Sequence, residues 1–360
     1  MASGALIKLL IVDDSALMRR QLAALFADEP DFLVRLARNG VEAVAENRRF
    51  EPDVITLDIN MPELDGLTAL AMIMAERQVP VVMISSLTEK GALVTFEALN
   101  LGAVDFVAKP GGTISLSIDT VRDAIIEKVR TAARAKLRPP RVGAPARTPA
   151  LEASAAALMA AKNGRQPVAR EGVVLIGVST GGPSTLEQIL PLLPATLPWP
   201  VLVAQHMPAS FTASFAQRLD GLCPLKVVEA NRPLPLEAGT VYIGKGGADI
   251  VVVRRASRLT LIAKPENSDH MWHPSAELLG RSALEHIEPA NVIGVMLTGM
   301  GSDGAAAFTD IRRRGGRTIA ESEASAVVFG MPAELIKRDG ATVILHADRI
   351  AAQVNSWLGC

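Results

Sequence analysis

Short apolar runs that alternate with helix-length segments constrain this chain more than any other feature. Runs at 6–12, 32–37, 54–57, 79–84 and 104–107 are each followed by enough residues for a helix, and Gly40, Gly66, Gly91 and Gly102 mark the breaks. Continuous apolar runs suit strands buried on both faces, and parallel strands need a crossover between them. Five such units predict an α/β fold over residues 1–134, a doubly wound five-stranded parallel sheet. A second series spans 171–358, with strands at 173–178, 200–204, 225–228, 240–243, 250–253, 259–262, 292–297, 318–320 and 341–345. Helical segments over 183–193, 210–220, 275–288, 303–315 and 331–338 separate several of these. The middle strands lack intervening helices, which predicts antiparallel pairing there and a mixed, largely parallel sheet. Between the two series, residues 135–170 are rich in Pro, Ala and Arg and read as a linker, with one Ala-rich helix expected over 151–161.

Composition narrows the function classes. A hydrophobic content of 49% against 21% charged residues supplies two buried cores in 360 residues. A formal net charge of −1 offers no electrostatic footprint for nucleic acid or an anionic membrane. Cys223 and Cys360 are the two cysteines, too few for a disulfide framework and suited to a reducing compartment. No apolar stretch reaches the roughly 18 residues of a membrane span. A cytoplasmic monomer without membrane insertion is the expectation.

Ligands of α/β sheets bind at the carboxyl ends of the strands. Asp13 and Asp14 end the first strand and Asp58 the third, so three carboxylates converge there. Such a cluster repels itself unless a cation fills it, and hard oxygen ligands suit Mg²⁺. The backbone carbonyl of Asn60 can complete the ligand set, and Lys109 brings an ammonium beside it. Ser85, or neighbouring Ser86, offers a hydroxyl to a phosphoryl oxygen. Taken one by one, strand-end aspartates are equally well read as helix N-caps.

In the second series, the run 173–178 breaks into Ser179-Thr180-Gly181-Gly182 just before a helical pattern. A sharp strand-to-helix turn exposes a serine hydroxyl where a base can reach it. His206 follows the 200–204 strand, and Asp303 lies in the glycine-rich turn after 292–297, so Ser179, His206 and Asp303 fall on one sheet edge as nucleophile, base and orienting carboxylate. Backbone N–H groups of the glycine turns, the Thr180 hydroxyl and Met300 are candidate donors to an oxyanion. A different chain order, Asp249 then His286, is the second choice of acid and base. The glycines of 177–182 could instead cradle a phosphate, although no Lys follows them as in a P-loop. His270 and His273 read as structural or substrate-groove residues, since no Cys or carboxylate spacing supports zinc.

Segment 6–132 resembles the receiver domain of two-component response regulators, through Val12-Asp13-Asp14-Ser15, Leu57-Asp58-Ile59-Asn60-Met61-Pro62, Asp65-Gly66, Ser85 and Lys109-Pro110. The resemblance implies a flavodoxin-like fold and phosphorylation of Asp58 by a histidine kinase. It also implies Mg²⁺ on Asp14, Asp58 and the Asn60 carbonyl with help from Asp13, and phosphoryl contacts from Ser85 and Lys109. Segment 172–358 resembles the catalytic domain of the chemotaxis protein-glutamate methylesterase family, through 177–182, Gln205-His206-Met207-Pro208 and 297–305. The segment from His270 to Ser275 departs from the Asn-x-His-x-Pro-Ser form common in that family. The resemblance implies a serine hydrolase, with no cofactor at the esterase site, that demethylates glutamate γ-methyl esters and deamidates glutamines on methyl-accepting chemotaxis receptors. A receiver covering the serine cleft until Asp58 is phosphorylated is the expected control. Two other readings stand beside it: a phosphorylation-controlled interaction module without catalysis, and the same esterase serving a sensor outside chemotaxis.

Overall fold

The computed structural model describes residues 6–85, 88–109, 122–137, 171–266 and 269–360. Ser86, Pro110 and most of 135–170, with the helix expected over 151–161, lie outside the described residues. The first sheet contains β1 (Ile7–Val12), β2 (Phe32–Ala37), β3 (Val54–Asp58), β4 (Val81–Ser85) and β5 (Asp105–Ala108), ordered β2-β1-β3-β4-β5. Its pairs are all parallel. Helices α1 (Ala16–Ala27), α2 (Gly40–Phe50), α3 (Gly66–Glu76), α4 (Glu89–Asn100) and α5 (Arg122–Ala132) make the crossovers and cover. Local chemistry fixes where the first four begin. Ser15, Asn39, Asp65 and Thr88 each accept the backbone N–H three residues on, satisfying a donor that the helix leaves orphaned. β3 and β4 are buried along their whole length, as central strands of a parallel sheet must be.

The second unit holds β6 (Val173–Val178), β7 (Val201–Gln205), β8 (Lys226–Ala230), β9 (Leu234–Pro235), β10 (Thr240–Gly244), β11 (Asp249–Arg255), β12 (Arg258–Lys264), β13 (Val292–Met296), β14 (Arg317–Glu321) and β15 (Val343–Leu345). Seven of these form one sheet, ordered β15-β14-β13-β6-β7-β10-β8, and β11-β12-β9 form another. The antiparallel pairing expected of the middle strands is present, in that separate sheet. The seven-stranded sheet is parallel at every pair. A two-residue hairpin explains the division: Ala256 and Ser257 both have positive φ, the geometry of a tight turn whose twist matches antiparallel strands. Helices α6 (Gly182–Ile189), α7 (Ala209–Asp220), α8 (Ala276–His286), α9 (Ala305–Arg313) and α10 (Met331–Lys337) follow the expected segments, and α11 (Ala347–Leu358) was not anticipated. It buries Ala347, Ile350, Ala351 and Val354 along one face. Among the described residues, no helix is long and apolar enough to cross a membrane.

The chain leaves β6 for β7 on one side and later returns to β13 on the other. The carboxyl ends of β6, β7 and β13 therefore border a topological switch point, where open α/β sheets form their crevice. The two units also touch. Phe106 lies 4.5 Å from Phe211, and Phe96 lies 5.3 Å from Phe215, ring centre to ring centre. Each fully buried ring contributes roughly 1.5–3 kcal/mol through removal from water.

One close approach supports the carboxyl end of β3. A Cβ on Gly66 would stand 2.0 Å from the carbonyl oxygen of Asp58, so only glycine fits under that strand end. Gly66→Ala is expected to destabilise the N-terminal unit by about 1–3 kcal/mol, as overpacking against rigid backbone does. Denaturant unfolding of the variant checks this, and an unchanged midpoint would contradict the contact.

Candidate active site and acidic pocket

Ser179 follows β6 directly and is 5% exposed. Backbone bonds pin it from three sides: its N–H donates to the Thr298 carbonyl (2.9 Å), its carbonyl accepts from Gly182 N (2.8 Å), and Gln205 Nε2 donates to the same carbonyl (3.1 Å). The loop after β13 approaches closely enough that a Cβ on Gly299 would stand 2.8 Å from Ser179 Cβ. Thr298 ties this loop down, donating through Oγ1 to the Thr180 carbonyl (2.8 Å) and through its N–H to the buried carboxylate of Glu321 (2.8 Å).

His206 follows β7, and its backbone N–H donates to the Val178 carbonyl (3.1 Å). Its ring Nε2 is 2.9 Å from Asp303 Oδ2, and its Nδ1 is buried with no hydrogen-bond partner. The structure therefore brings histidine and aspartate into contact and sets the serine on the adjoining strand. Among the described residues, no hydrogen bond joins Ser179 Oγ to the ring, an arrangement common before substrate is bound. Asp303 also accepts from Ser275 Oγ (2.8 Å), Ala276 N (2.6 Å) and Glu277 N (3.1 Å) at the start of α8. Burial opposes ionisation of its carboxyl, yet the His206 bond and charge, the Ala276 amide and the Ser275 hydroxyl outweigh it and hold Asp303 below its ordinary value. Asp249, the second-choice acid, is bonded to His273 Nδ1 (3.0 Å), and His286 stands in the last turn of α8.

Two of the expected oxyanion residues are engaged by the N-terminal unit. Thr180 Oγ1 donates to Asp105 Oδ2 (2.7 Å), and the Thr131 hydroxyl meets Met300 Sδ. Lys128 holds the other Asp105 oxygen at 3.1 Å. Lys136 adds a backbone bond to the Val327 carbonyl (3.1 Å) and an ion pair with Glu323 (2.9 Å). Sequence reasoning paired His206 with Asp303 but missed Asp105, Thr298, Glu321 and the partners of Asp303 at the start of α8. For Ser275 a signal existed, since a serine after Pro274 that opens a helical pattern is an N-cap. For Asp105 there was none, because its partner belongs to the other unit.

At the first sheet's carboxyl edge, Asp13, Asp14 and Asp58 can place carboxylate oxygens within 4.8 Å of one another. Three hard oxygen donors that close, with Asp14 exposed to solvent, fit a divalent cation that keeps several waters, as Mg²⁺ does. Asn60 lies exposed two residues beyond Asp58. Lys109 Nζ is 2.7 Å from Asp58 Oδ2 and 3.0 Å from Asp13 Oδ2, the latter outside hydrogen-bonding angles. Burial pushes the Asp58 carboxyl up, against the pull of Lys109 and with the help of the Asp13 charge. Lys109 loses some proton affinity to burial but is raised overall by Asp58 and Asp13. Ser85 is fully buried, its hydroxyl accepting from Thr95 Oγ1 (2.8 Å) and donating to the Gly91 carbonyl (3.3 Å).

The family described as CheB methylesterase matches residues 174–354, and the response regulator receiver domain matches 9–118. Protein-glutamate methylesterase/protein-glutamine glutaminase 3 of Rhodospirillum rubrum is 54% identical over 98% of this chain and 96% of its own length. Enzyme 2 of the same name from Rhodopseudomonas palustris is 51% identical over 98% of each chain. The crystal structure of the Thermotoga maritima CheB methylesterase catalytic domain superposes with a TM-score of 0.50 at 34% identity, covering 52% of this chain and 98% of that one. The chain belongs to the CheB methylesterase family, with a response-regulator receiver domain ahead of the catalytic fold.

Proposed function

We propose that Ser179, His206 and Asp303 carry out the hydrolysis of glutamate γ-methyl esters on methyl-accepting chemotaxis receptors, and the deamidation of receptor glutamines by the same route. Near full-length similarity to enzymes named protein-glutamate methylesterase/protein-glutamine glutaminase supports that activity. The carrying observation is the His206–Asp303 bond, formed on the strand next to Ser179 at the switch point. Ser179 Oγ attacks the ester carbonyl while its proton passes to His206 Nδ1, the ring nitrogen left without a partner. Asp303 fixes the tautomer and stabilises the imidazolium. The tetrahedral intermediate collapses, methanol leaves with that proton, and water repeats the sequence to free the glutamate. With a glutamine substrate the leaving group is ammonia. Backbone N–H groups of the glycine turns would stabilise the developing oxyanion, with Thr180 and Met300 nearby; at the start of α6 the Gly182 N–H is already given to the Ser179 carbonyl and Pro183 has none.

Residues 1–134 are the receiver, 135–170 the linker and 171–358 the catalytic domain. A receiver of this family takes a phosphoryl group with Mg²⁺, here on Asp58 from the histidine kinase of the chemotaxis system. Asp13, Asp14, Asp58 and the Asn60 carbonyl would hold the ion, which neutralises phosphoryl charge. Lys109 and Ser85 contact the phosphoryl oxygens, which requires the Ser85 hydroxyl to give up the Gly91 carbonyl to which it now donates. The contacts of Asp105 with Thr180 and of Thr131 with Met300 support inhibition by the unphosphorylated receiver, since both engage groups beside the nucleophile. On this reading the enzyme is a cytoplasmic monomer. A non-catalytic interaction module would have no use for the His–Asp pair, and the enzyme names of the relatives weigh against it. An esterase for a sensor outside chemotaxis is distinguished by which protein loses methyl groups.

Ser179→Ala is expected to abolish release of labelled methanol from methylated receptors, and Asp303→Asn to lower kcat by about ten-thousand-fold through the wrong tautomer. Full activity in the serine variant overturns the mechanism. Control is tested with a small phosphodonor and Mg²⁺, which should accelerate the intact chain towards the rate of fragment 165–360. Asp58→Asn or a chelator should remove the acceleration and leave the basal rate. An intact, unphosphorylated chain as fast as the fragment would rule inhibition out.

A further inference from the structure

One aromatic side chain near the catalytic histidine has no part in the proton transfers above. The Trp272 ring system lies parallel to the His206 imidazole, with centroids 5.2 Å apart and planes inclined by 8°. The turn that presents it is anchored at its base. His273 Nδ1 lies 3.0 Å from Asp249 Oδ1, Ser275 N donates to the same oxygen (3.1 Å), and Ser275 Oγ donates to Asp303 (2.8 Å). A single segment thus grips Asp303 with Ser275, Ala276 and Glu277 and faces His206 with Trp272.

The imidazole needs such a restraint. Asp303 holds only Nε2, and Nδ1 has no hydrogen-bond partner to stop the ring turning about that bond. The χ2 torsion of histidine is broad, so one hydrogen bond leaves the plane poorly fixed. A flat aromatic surface against one face limits the rotation that would carry Nδ1 away from Ser179. The indole π-face also favours the ring once it has taken up the serine proton.

We propose that Trp272 is a positioning residue for the esterase reaction, fixing the plane of the His206 imidazole so that Nδ1 stays directed at Ser179. The proposal rests on the serine mechanism above. An aromatic pair of this kind contributes about 0.5–1.5 kcal/mol beyond burial, which is about two- to tenfold in rate. Steady-state demethylation by the intact chain tests it. Trp272→Leu is expected to lower kcat by about five- to tenfold with KM within about twofold, and Trp272→Phe to restore most of the loss. Labelling of Ser179 by a fluorophosphonate, which needs the base but no receptor, should slow by the same factor. Equal rates for the Leu and Phe variants would overturn the proposal, because then only apolar cover matters. A rise in KM with kcat and labelling unchanged would also overturn it, making Trp272 a substrate contact. Should the Leu variant fail to fold, Trp272→Met, apolar and ringless, takes its place in the comparison. Ser179→Ala separates the two levels: full activity there sinks the serine mechanism, whereas a wild-type rate in Trp272→Leu with Ser179 essential sinks only the stacking role.

Discussion

A buried carboxylate must find donors for its oxygens or give up its charge. Asp303 finds four, the His206 ring nitrogen, the Ser275 hydroxyl and the Ala276 and Glu277 amides, and the C-terminal half is organised around them. They come from the turn after β7 and the start of α8, while Asp303 itself rides on the loop after β13. One side chain therefore joins three regions that are distant along the chain. The amides of α8 add the positive end of a helix to the direct bonds, which favours the ionised form. Burial acts the other way and loses, so the carboxyl stays below its ordinary value. An ionised Asp303 is what the imidazolium needs as partner during acyl transfer.

Hydrophobic periodicity made most of the framework legible. Strands such as 32–37 and 173–178 fall where the apolar runs end, and the site residues stand one position beyond β6 and β7. Helix α11 also left a trace that went unused, since Ala347, Ile350, Ala351 and Val354 recur at helical spacing. What periodicity cannot carry is partnership between surfaces. Nothing local distinguishes Asp105 from any other acid at a strand start, and its role beside Thr180 exists only once two sheets meet. Trp272 was visible as an aromatic between two histidines, but its parallel stack on His206 follows from the Asp249 anchor, 23 residues upstream of it in sequence. Ser85 is a third case. Its strand-end position suggests a phosphoryl contact, while the hydroxyl it meets, Thr95, sits two turns into α4.

The same short strand links the two sites. β5 delivers Asp105 to the Thr180 hydroxyl and Phe106 to Phe211, and the residue after it, Lys109, reaches Asp58. Phe211 lies in α7, which starts three residues beyond His206. A phosphoryl group on Asp58 would compete for Lys109 at one end of β5 and for Ser85 at the end of β4, whose hydroxyl now donates to the Gly91 carbonyl and accepts from Thr95, beside Phe96. A ligand shifts such an equilibrium only by its differential affinity for the two arrangements. The contacts at stake include the hydrogen bonds of Thr180 with Asp105 and of Thr131 with Met300, the Lys136 bonds to Val327 and Glu323, and an aromatic cluster, each worth about 0.5–1.5 kcal/mol by usual magnitudes. Coupling between sites is commonly about 1–3 kcal/mol. On the proposed control, one phosphorylation would have to offset a mixture of contacts that is polar at Thr180 and aromatic at Phe211.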